Sequence, residues 1–96
     1  MEMIKTVNGR DFLVQMNGRL DTNTAPAFEA FINEHIAKMD TLTLDLEKLA
    51  YVSSAGLRVL LSAQKRLKGA LKLKNVCELV MEVFEMTGFA DILTIE

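Results

Sequence analysis

The chain has 96 residues, a length that fits one small domain and leaves no room for a second. Half of its residues are hydrophobic and a quarter are charged, which is the composition of a globular protein and excludes a disordered one. Its net charge of −2, without a basic tail, gives no support for a nucleic-acid-binding protein.

Cysteine content and hydropathy indicate the compartment. The single cysteine, Cys77, cannot form an internal disulfide, so the chain suits a reducing environment. The first residues lack the basic region and apolar core of a signal peptide. No apolar run approaches the ~20 residues that a membrane span needs. We therefore expect a soluble cytoplasmic protein that does not associate with a membrane.

The chain begins with a predicted β-hairpin. Residues 3–7 and 11–16 have the composition of strands, and Asn8-Gly9-Arg10 lies between them. Asn-Gly supplies the positive φ angles of a tight hairpin turn. In the second strand apolar residues occur on both faces, so we expect both faces of the sheet to be partly covered.

After the hairpin, three amphipathic helices alternate with three short strands. Apolar residues recur at helical spacing in the helices and at every second position in the strands. The predicted elements are a helix to about residue 38, a strand at 41–46, a helix from about 54 to 68, a strand at 71–74, a helix at 78–86 and an edge strand at 92–95. Strands joined through helices pair in parallel, with right-handed crossovers. The sequence therefore predicts a single α/β domain, with a mixed, mostly parallel sheet of about five strands and three main helices.

The third helix has an apolar stripe that we predict to be buried. The stripe consists of Leu79, Val80, Val83 and Phe84. Its other face carries glutamates and is predicted to face solvent.

No pattern in the sequence predicts an active site. There is no glycine-rich phosphate loop and no spacing of His, Cys and carboxylates that is typical of a metal site. Ser54, His35 and Asp21 have the residue types of a catalytic triad. However, His35 falls in the body or last turn of the first helix, away from the expected position of Ser54. We expect a protein that is not an enzyme and has no cofactor.

The segment from Ala50 to Leu61 joins a strand to a helix through the pair Ser53-Ser54. A serine hydroxyl at such a junction can accept a hydrogen bond from a free N–H group of the first turn. The same position has unpaired N–H groups and a positive helix dipole, so it accepts a phosphate, either free or attached to serine. On the pattern alone, however, a Ser-Ser pair before a helix is most often only a cap. Arg58 lies in the first turn, where a cation is unfavourable, and is either solvated or placed to meet an anion or an acidic partner.

Three blocks of the sequence resemble STAS domains, specifically the bacterial anti-sigma factor antagonists. The blocks are Gly18-Arg19-Leu20-Asp21, the run from Leu44-Asp45-Leu46 through Tyr51-Val52-Ser53-Ser54-Ala55-Gly56-Leu57, and Phe84-Glu85-Met86-Thr87-Gly88-Phe89 followed by Ile92-Leu93. They occur in the order and at the spacing of the family. The resemblance extends over nearly the whole chain, so it implies one STAS domain over residues 1–96.

The resemblance implies a regulatory switch. Such antagonists bind an anti-sigma factor that is also a serine kinase, and so release a sigma factor for transcription. The kinase uses ATP to phosphorylate one serine of the antagonist, which then dissociates. A PP2C-type phosphatase that depends on a divalent metal reverses the modification. The ATP and the metal belong to those partners, so no cofactor is implied for this chain, and nothing in the sequence indicates self-association.

The resemblance also implies the site residues. The family's acceptor serine corresponds to Ser54. Ser53 is the alternative acceptor. It stands where the best-known members have Asp, so this chain has a second hydroxyl there and lacks a charge near the switch. Together with the position of Arg58 in the first turn of the helix, the resemblance predicts the partner-binding residues Asp21, Thr22, Ser53, Ser54, Ala55, Gly56 and Arg58.

Several of these roles have a simpler alternative. Gly56 either leaves room for a closely approaching partner or is only a small packing residue. Asp21 either hydrogen-bonds a serine, shapes the docking surface, or only caps the first helix.

Two other functions of the whole protein stay open as well. One is a STAS module that binds a transporter subunit or a larger signalling assembly without phosphorylation, and the other is a small hydrolase that uses Ser54.

Overall fold

A six-stranded mixed sheet and three helices form the fold in the computed structural model, which describes residues 1–96. The strands are β1 (Glu2–Asn8), β2 (Asp11–Leu20), β3 (Thr41–Asp45), β4 (Leu49–Val52), β5 (Leu71–Lys74) and β6 (Thr94–Ile95). The helices are α1 (Ala25–His35), α2 (Ser54–Arg66) and α3 (Glu78–Thr87). Short 3₁₀ turns follow α1 at Ile36–Lys38 and α3 at Phe89–Asp91. None of the helices has the length and apolar character that crossing a bilayer requires.

The strand order is β1-β2-β3-β5-β6, with β4 paired to β2 alone. β1 and β2 are antiparallel, and every other pair is parallel. Because the successive crossovers move across the sheet in one direction and are right-handed, their helices fall on one face. The predicted α/β domain with a mixed, mostly parallel sheet and three main helices is confirmed, and the sheet has six strands.

The sixth strand, β4, lies in a segment that we predicted to be a connection. It has only four residues, and its burial does not alternate strictly, so no period of two marks it in the sequence. Its partner β2 is longer than predicted and pairs with two strands in turn. Residues Asp11–Gln15 of β2 pair with β3, and Gly18–Leu20 pair with β4. The register shifts between Gly18 and Arg19, where Gly18 has a φ of 108° that glycine accommodates easily.

The hydrophobic core lies between the helices and one face of the sheet. Alternate residues of the central strands are buried there, namely Phe12, Val14, Met16, Leu42, Leu44, Leu71 and Leu73. Phe28 and Ile32 of α1, Leu57 and Leu60 of α2, and Val80 and Phe84 of α3 are buried in the same cluster. The opposite face carries Gln15, Thr43 and Lys72 and is not covered by any helix. Leu13 and Thr43 on this face are nevertheless half-buried and Asp45 is buried, so both faces are partly covered although every crossover helix falls on the same side.

The last helix and the last strand differ from the prediction. Val80 and Phe84 are fully buried, but Leu79 is 54% exposed because it lies on the outer side of α3. The final strand is only Thr94–Ile95, since the N–H groups of Ile92 and Leu93 donate to the Phe89 carbonyl and continue the turn that begins at Phe89.

Candidate functional site

The carboxyl ends of β2 and β4 meet the amino ends of α1 and α2 at one edge of the sheet. Leu20 and Val52 are partners in the parallel ladder, so the residues after them, Asp21 and Ser53, emerge side by side. The Ser53 N–H donates to the Leu20 carbonyl at 2.8 Å and fastens the two strand ends together. The pairing of these strand ends therefore brings together the segments that begin at Asp21 and Ser53, which lie about thirty residues apart in the sequence.

The two serines at this edge have different environments. Ser53 is the N-cap of α2, with extended backbone angles, and its Oγ accepts a long hydrogen bond of 3.4 Å from the Gly56 N–H. Ser54 is the first residue of the helix and is exposed. No hydrogen bond engages the Ser54 hydroxyl. The capping role that the sequence predicted for the pair thus belongs to Ser53, and the accessible hydroxyl belongs to Ser54.

Gly56 lies in the interior, directly beneath this junction. A Cβ atom at this position would lie 2.7 Å from Leu20 Cγ and 3.0 Å from Val52 Cγ2, far inside ordinary contact distance. The first turn of α2 can rest on the ends of β2 and β4 only because this residue has no side chain. Of the two roles considered for Gly56, the structure supports packing.

Asp21 organises the turn that leads into α1 and forms no hydrogen bond with either serine. Its Oδ1 accepts hydrogen bonds from the N–H groups of Asn23 at 2.9 Å and Thr24 at 3.2 Å. Burial raises the pKa of the Asp21 carboxyl, but these hydrogen bonds, the Thr24 hydroxyl and the charge of Arg19 together outweigh it and hold that pKa below its ordinary value. Asp21 is therefore an ionised residue that shapes the surface beside Ser53.

A shallow groove of about 400 Å³ runs between the amino ends of α1 and α2. Three residues of the predicted partner-binding set line it, namely Thr22, Ala55 and Arg58. The other lining residues are Ala25, Pro26, Glu29 and Val59. Arg58 is exposed and takes part in none of the three ion pairs of the chain. The groove adjoins Ser54 along the chain, so an accessible hydroxyl, a free guanidinium and an apolar floor share one surface.

Tyr51 is a residue of this surface that the sequence did not reveal. Tyr51 is the ladder partner of Arg19, whose guanidinium lies 4.5 Å from the centre of the tyrosine ring. The same guanidinium lies 3.8 Å from Asp21 Oδ2. A cation over an aromatic face is attracted by the ring electrons. This contact depends on the pairing of β4 with β2, so it could not be expected from a sequence analysis that did not predict β4.

Comparison with known proteins identifies the family. The family profile described as the STAS domain matches residues 2–96, almost the entire chain. This chain is a member of the STAS domain family.

Relatives of this STAS domain share both its sequence and its fold. It is 31% identical over 91 residues to the anti-sigma-B factor antagonist of Bacillus subtilis, with 92% of this chain and 84% of that protein covered. The unphosphorylated form of the anti-sigma factor antagonist SpoIIAA superimposes with a TM-score of 0.83 at 20% identity, covering 99% of this chain and 88% of SpoIIAA. The phosphorylated form of SpoIIAA, a cell fate determinant from Bacillus, gives a TM-score of 0.75 at 19% identity over 99% and 91% of the two chains. These relatives are regulatory binding proteins and not enzymes, as the sequence led us to expect for this chain.

His35 lies at the opposite end of α1 from the serine junction. Its ring stacks on Phe31, with 4.3 Å between ring centres, and its Nδ1 lies 2.9 Å from the Phe31 carbonyl oxygen. Asp21 precedes the amino end of the same helix, whose 11 residues separate the two side chains. The STAS domain therefore does not assemble Ser54, His35 and Asp21 into a triad. No group of three or more His, Cys, Asp or Glu side chains lies close enough to hold a metal ion.

Proposed function

We propose that this STAS domain is an anti-sigma factor antagonist, which binds an anti-sigma factor kinase and is released when Ser54 is phosphorylated. The observation that carries the proposal is the exposed, unengaged Ser54 hydroxyl at the start of α2, beside the groove that Arg58 lines. The name of the Bacillus subtilis relative supports the antagonist role. The existence of SpoIIAA structures with and without phosphate supports a switch by modification.

The geometry favours Ser54 over Ser53 as the acceptor. The Ser53 hydroxyl caps α2, and a phosphate there would have to replace that hydrogen bond, which typically stabilises a helix by about 1 kcal/mol. Ser54 is exposed and has no such bond to lose. A kinase can therefore reach and modify Ser54 without disturbing the helix start.

Phosphorylation of Ser54 would change the surface and leave the fold intact. The phosphate adds about −1.5 to −2 charges, and the amino end of a helix tolerates negative charge well. A partner docked over the same position meets new bulk and charge. About 2.8 kcal/mol of lost interaction weakens binding a hundredfold, and one desolvated charge clash can supply that much.

The remaining parts of the proposal concern the partners. The anti-sigma factor supplies the kinase activity and its ATP, and a PP2C-type phosphatase with its own divalent metal restores the free serine. The chain needs neither cofactor itself. We place this exchange in the cytoplasm, where a sigma factor acts.

The test is to incubate the purified protein with ATP and each candidate anti-sigma factor kinase, and to measure its intact mass and its complex formation. The chain has three serines, Ser53, Ser54 and Ser62, so fragmentation assigns the modified residue unambiguously. We expect one phosphate, on Ser54, and loss of the complex. Ser54→Ala should bind but take up no phosphate, and Ser62→Ala, the matched control for modification, should take up one phosphate as the wild type does.

Two other results would revise the proposal. A phosphate on Ser53 would keep the switch and replace the acceptor. Stable binding without any phosphate would replace the switch with a STAS module that only binds.

A further inference from the structure

One face of α2, beyond the serine junction, carries positive charge that no ion pair neutralises, although Glu29 of α1 lines the groove that Arg58 shares. The face consists of Arg58, Leu61, Ser62, Lys65 and Arg66, which line a shallow depression of about 400 Å³, and we call it the cationic face. α2 contains no acidic residue. The three ion pairs of the chain are Arg10–Asp40, Arg19–Asp21 and Lys72–Glu96, so none of them involves this face.

The spacing of the charges on the cationic face defines what it can bind. Arg58 and Lys65 are seven residues apart, which is two helical turns or about 10 Å along the axis. Leu61 is half-buried between them and gives the face an apolar centre. Arg66 is anchored to α1, because its guanidinium donates to Asn33 Oδ1 at 2.5 Å. Arg58 and Lys65 are thus the two exposed cations left for a partner.

The cationic face is continuous with the groove beside Ser54. Arg58 lines both depressions, so one surface extends from the amino end of α2 to its last turn. The chain as a whole has a net charge of −2, whereas α2 itself carries cations and no acidic residue. Surfaces with segregated charge attract a partner of opposite charge, accelerate the encounter and fix its orientation.

We infer that the cationic face docks an acidic helix of the anti-sigma factor. Two carboxylates about two turns apart would face Arg58 and Lys65, with an apolar residue over Leu61. The inference rests on the proposed function and extends its binding surface along α2. It also gives the phosphate a second effect, because a phosphorylated Ser54 is one turn from Arg58 and would compete with the partner's carboxylate for that cation.

The experiment compares Lys65→Glu with the matched control Lys38→Glu. Both lysines are exposed and unpaired, and both substitutions change the net charge equally, but Lys38 lies in the 3₁₀ turn after α1. Calorimetric titration with the anti-sigma factor kinase that phosphorylates the wild type should show about tenfold weaker binding for Lys65→Glu and a change below about twofold for Lys38→Glu. The dependence of binding on salt concentration should be shallower for Lys65→Glu. Circular dichroism and thermal unfolding check that both variants fold as the wild type does.

A second measurement locates the contact directly. A carbodiimide joins an amine to a carboxylate without a spacer, so it should link Lys65 of the wild type to an acidic residue of the kinase and leave Lys38 unlinked. The inference is overturned if Lys65→Glu binds within about twofold of wild type and Lys65 forms no link, while Ser54→Asp still breaks the complex and the proposed function stands. A link from Lys65 to a second copy of this chain would overturn it too. A wild type that binds no anti-sigma factor would overturn the proposed function and this inference together.

Discussion

At Gly56 the first turn of α2 comes so close to the strand ends that no side chain fits between them. A methyl group there would meet Leu20 and Val52, which are both fully buried and cannot move aside. We expect Gly56→Ala to lower the free energy of unfolding by about 1–3 kcal/mol from overpacking, offset in part by the better helix propensity of alanine. Urea unfolding followed by circular dichroism measures the change.

A double variant tests whether steric overlap is the cause of the stability loss in Gly56→Ala. If the loss comes from the contact with Leu20, the double variant Gly56→Ala/Leu20→Ala should lose less stability than the sum of the two single variants, because the smaller residue makes room. Additive losses would contradict the steric explanation.

Asp45 is a second residue whose environment makes a specific prediction. It is only 9% exposed, and its Oδ1 accepts hydrogen bonds of 3.1 Å from Asn75 Nδ2 and from the Glu47 N–H. Burial raises the pKa of Asp45, but these hydrogen bonds and the charge of Lys74 outweigh it, so the pKa lies below its ordinary value of 3.8. A carboxyl with a lowered pKa stabilises the fold above its ordinary pKa, and the contribution is lost as the pH falls through the lowered value.

Asn75→Gly removes one of these hydrogen bonds and keeps the backbone unstrained, because Asn75 has a φ of 57° that glycine adopts readily. We expect a loss of about 1–2 kcal/mol at pH 7 and a smaller loss at an acidic pH below the lowered pKa of Asp45, where the carboxyl is protonated. Unfolding at several pH values measures this difference. An equal loss at both pH values would show that the lost stability does not come from the hydrogen bond to the Asp45 carboxylate.

Among the elements, α3 shows most clearly that a hydrophobic residue of a helix need not be buried. Phe84 is fully buried, and Leu79 of the same helix is 54% exposed. Phe84→Ala should lower the free energy of unfolding by about 3–5 kcal/mol, and Leu79→Ala by less than about 0.5 kcal/mol. Chemical denaturation of the two variants side by side provides the measurement. A large loss for Leu79→Ala would mean that another chain or segment covers this face.

The strands and helices differ in how far the sequence predicted them. β3 was evident because Leu42 and Leu44 alternate with polar residues, and α2 because its leucines recur at helical spacing. β4 was missed because its four residues lack a clean alternation and are held by a partner strand distant in the sequence. The exposure of Leu79 was missed for a related reason, since the helix pattern does not say how much of an apolar stripe a neighbouring element covers.

At the scale of the whole molecule, the order of elements determined the fold class, and the fold then determined the site. Alternating strands and helices predict a parallel sheet, and junctions at the carboxyl ends of parallel strands share an edge, so Asp21 and Ser53 could be expected near each other. The groove beside Arg58 and the stacking of Arg19 on Tyr51 depend on how α1, α2 and β4 are placed in three dimensions. Those details required the structure.

The double pairing of β2 also determines where the backbone can open. Residues Asp11–Gln15 are paired on one side with β1 and on the other with β3, so their amides should exchange with solvent only when the domain unfolds. The ladder with β1 ends at Asn17, and Gly18–Leu20 are paired with β4 alone. The edge that carries Ser53 and Ser54 is therefore attached to the less protected part of the sheet. We therefore expect the amides of Gly18–Leu20 to exchange through local opening, before those of Asp11–Gln15.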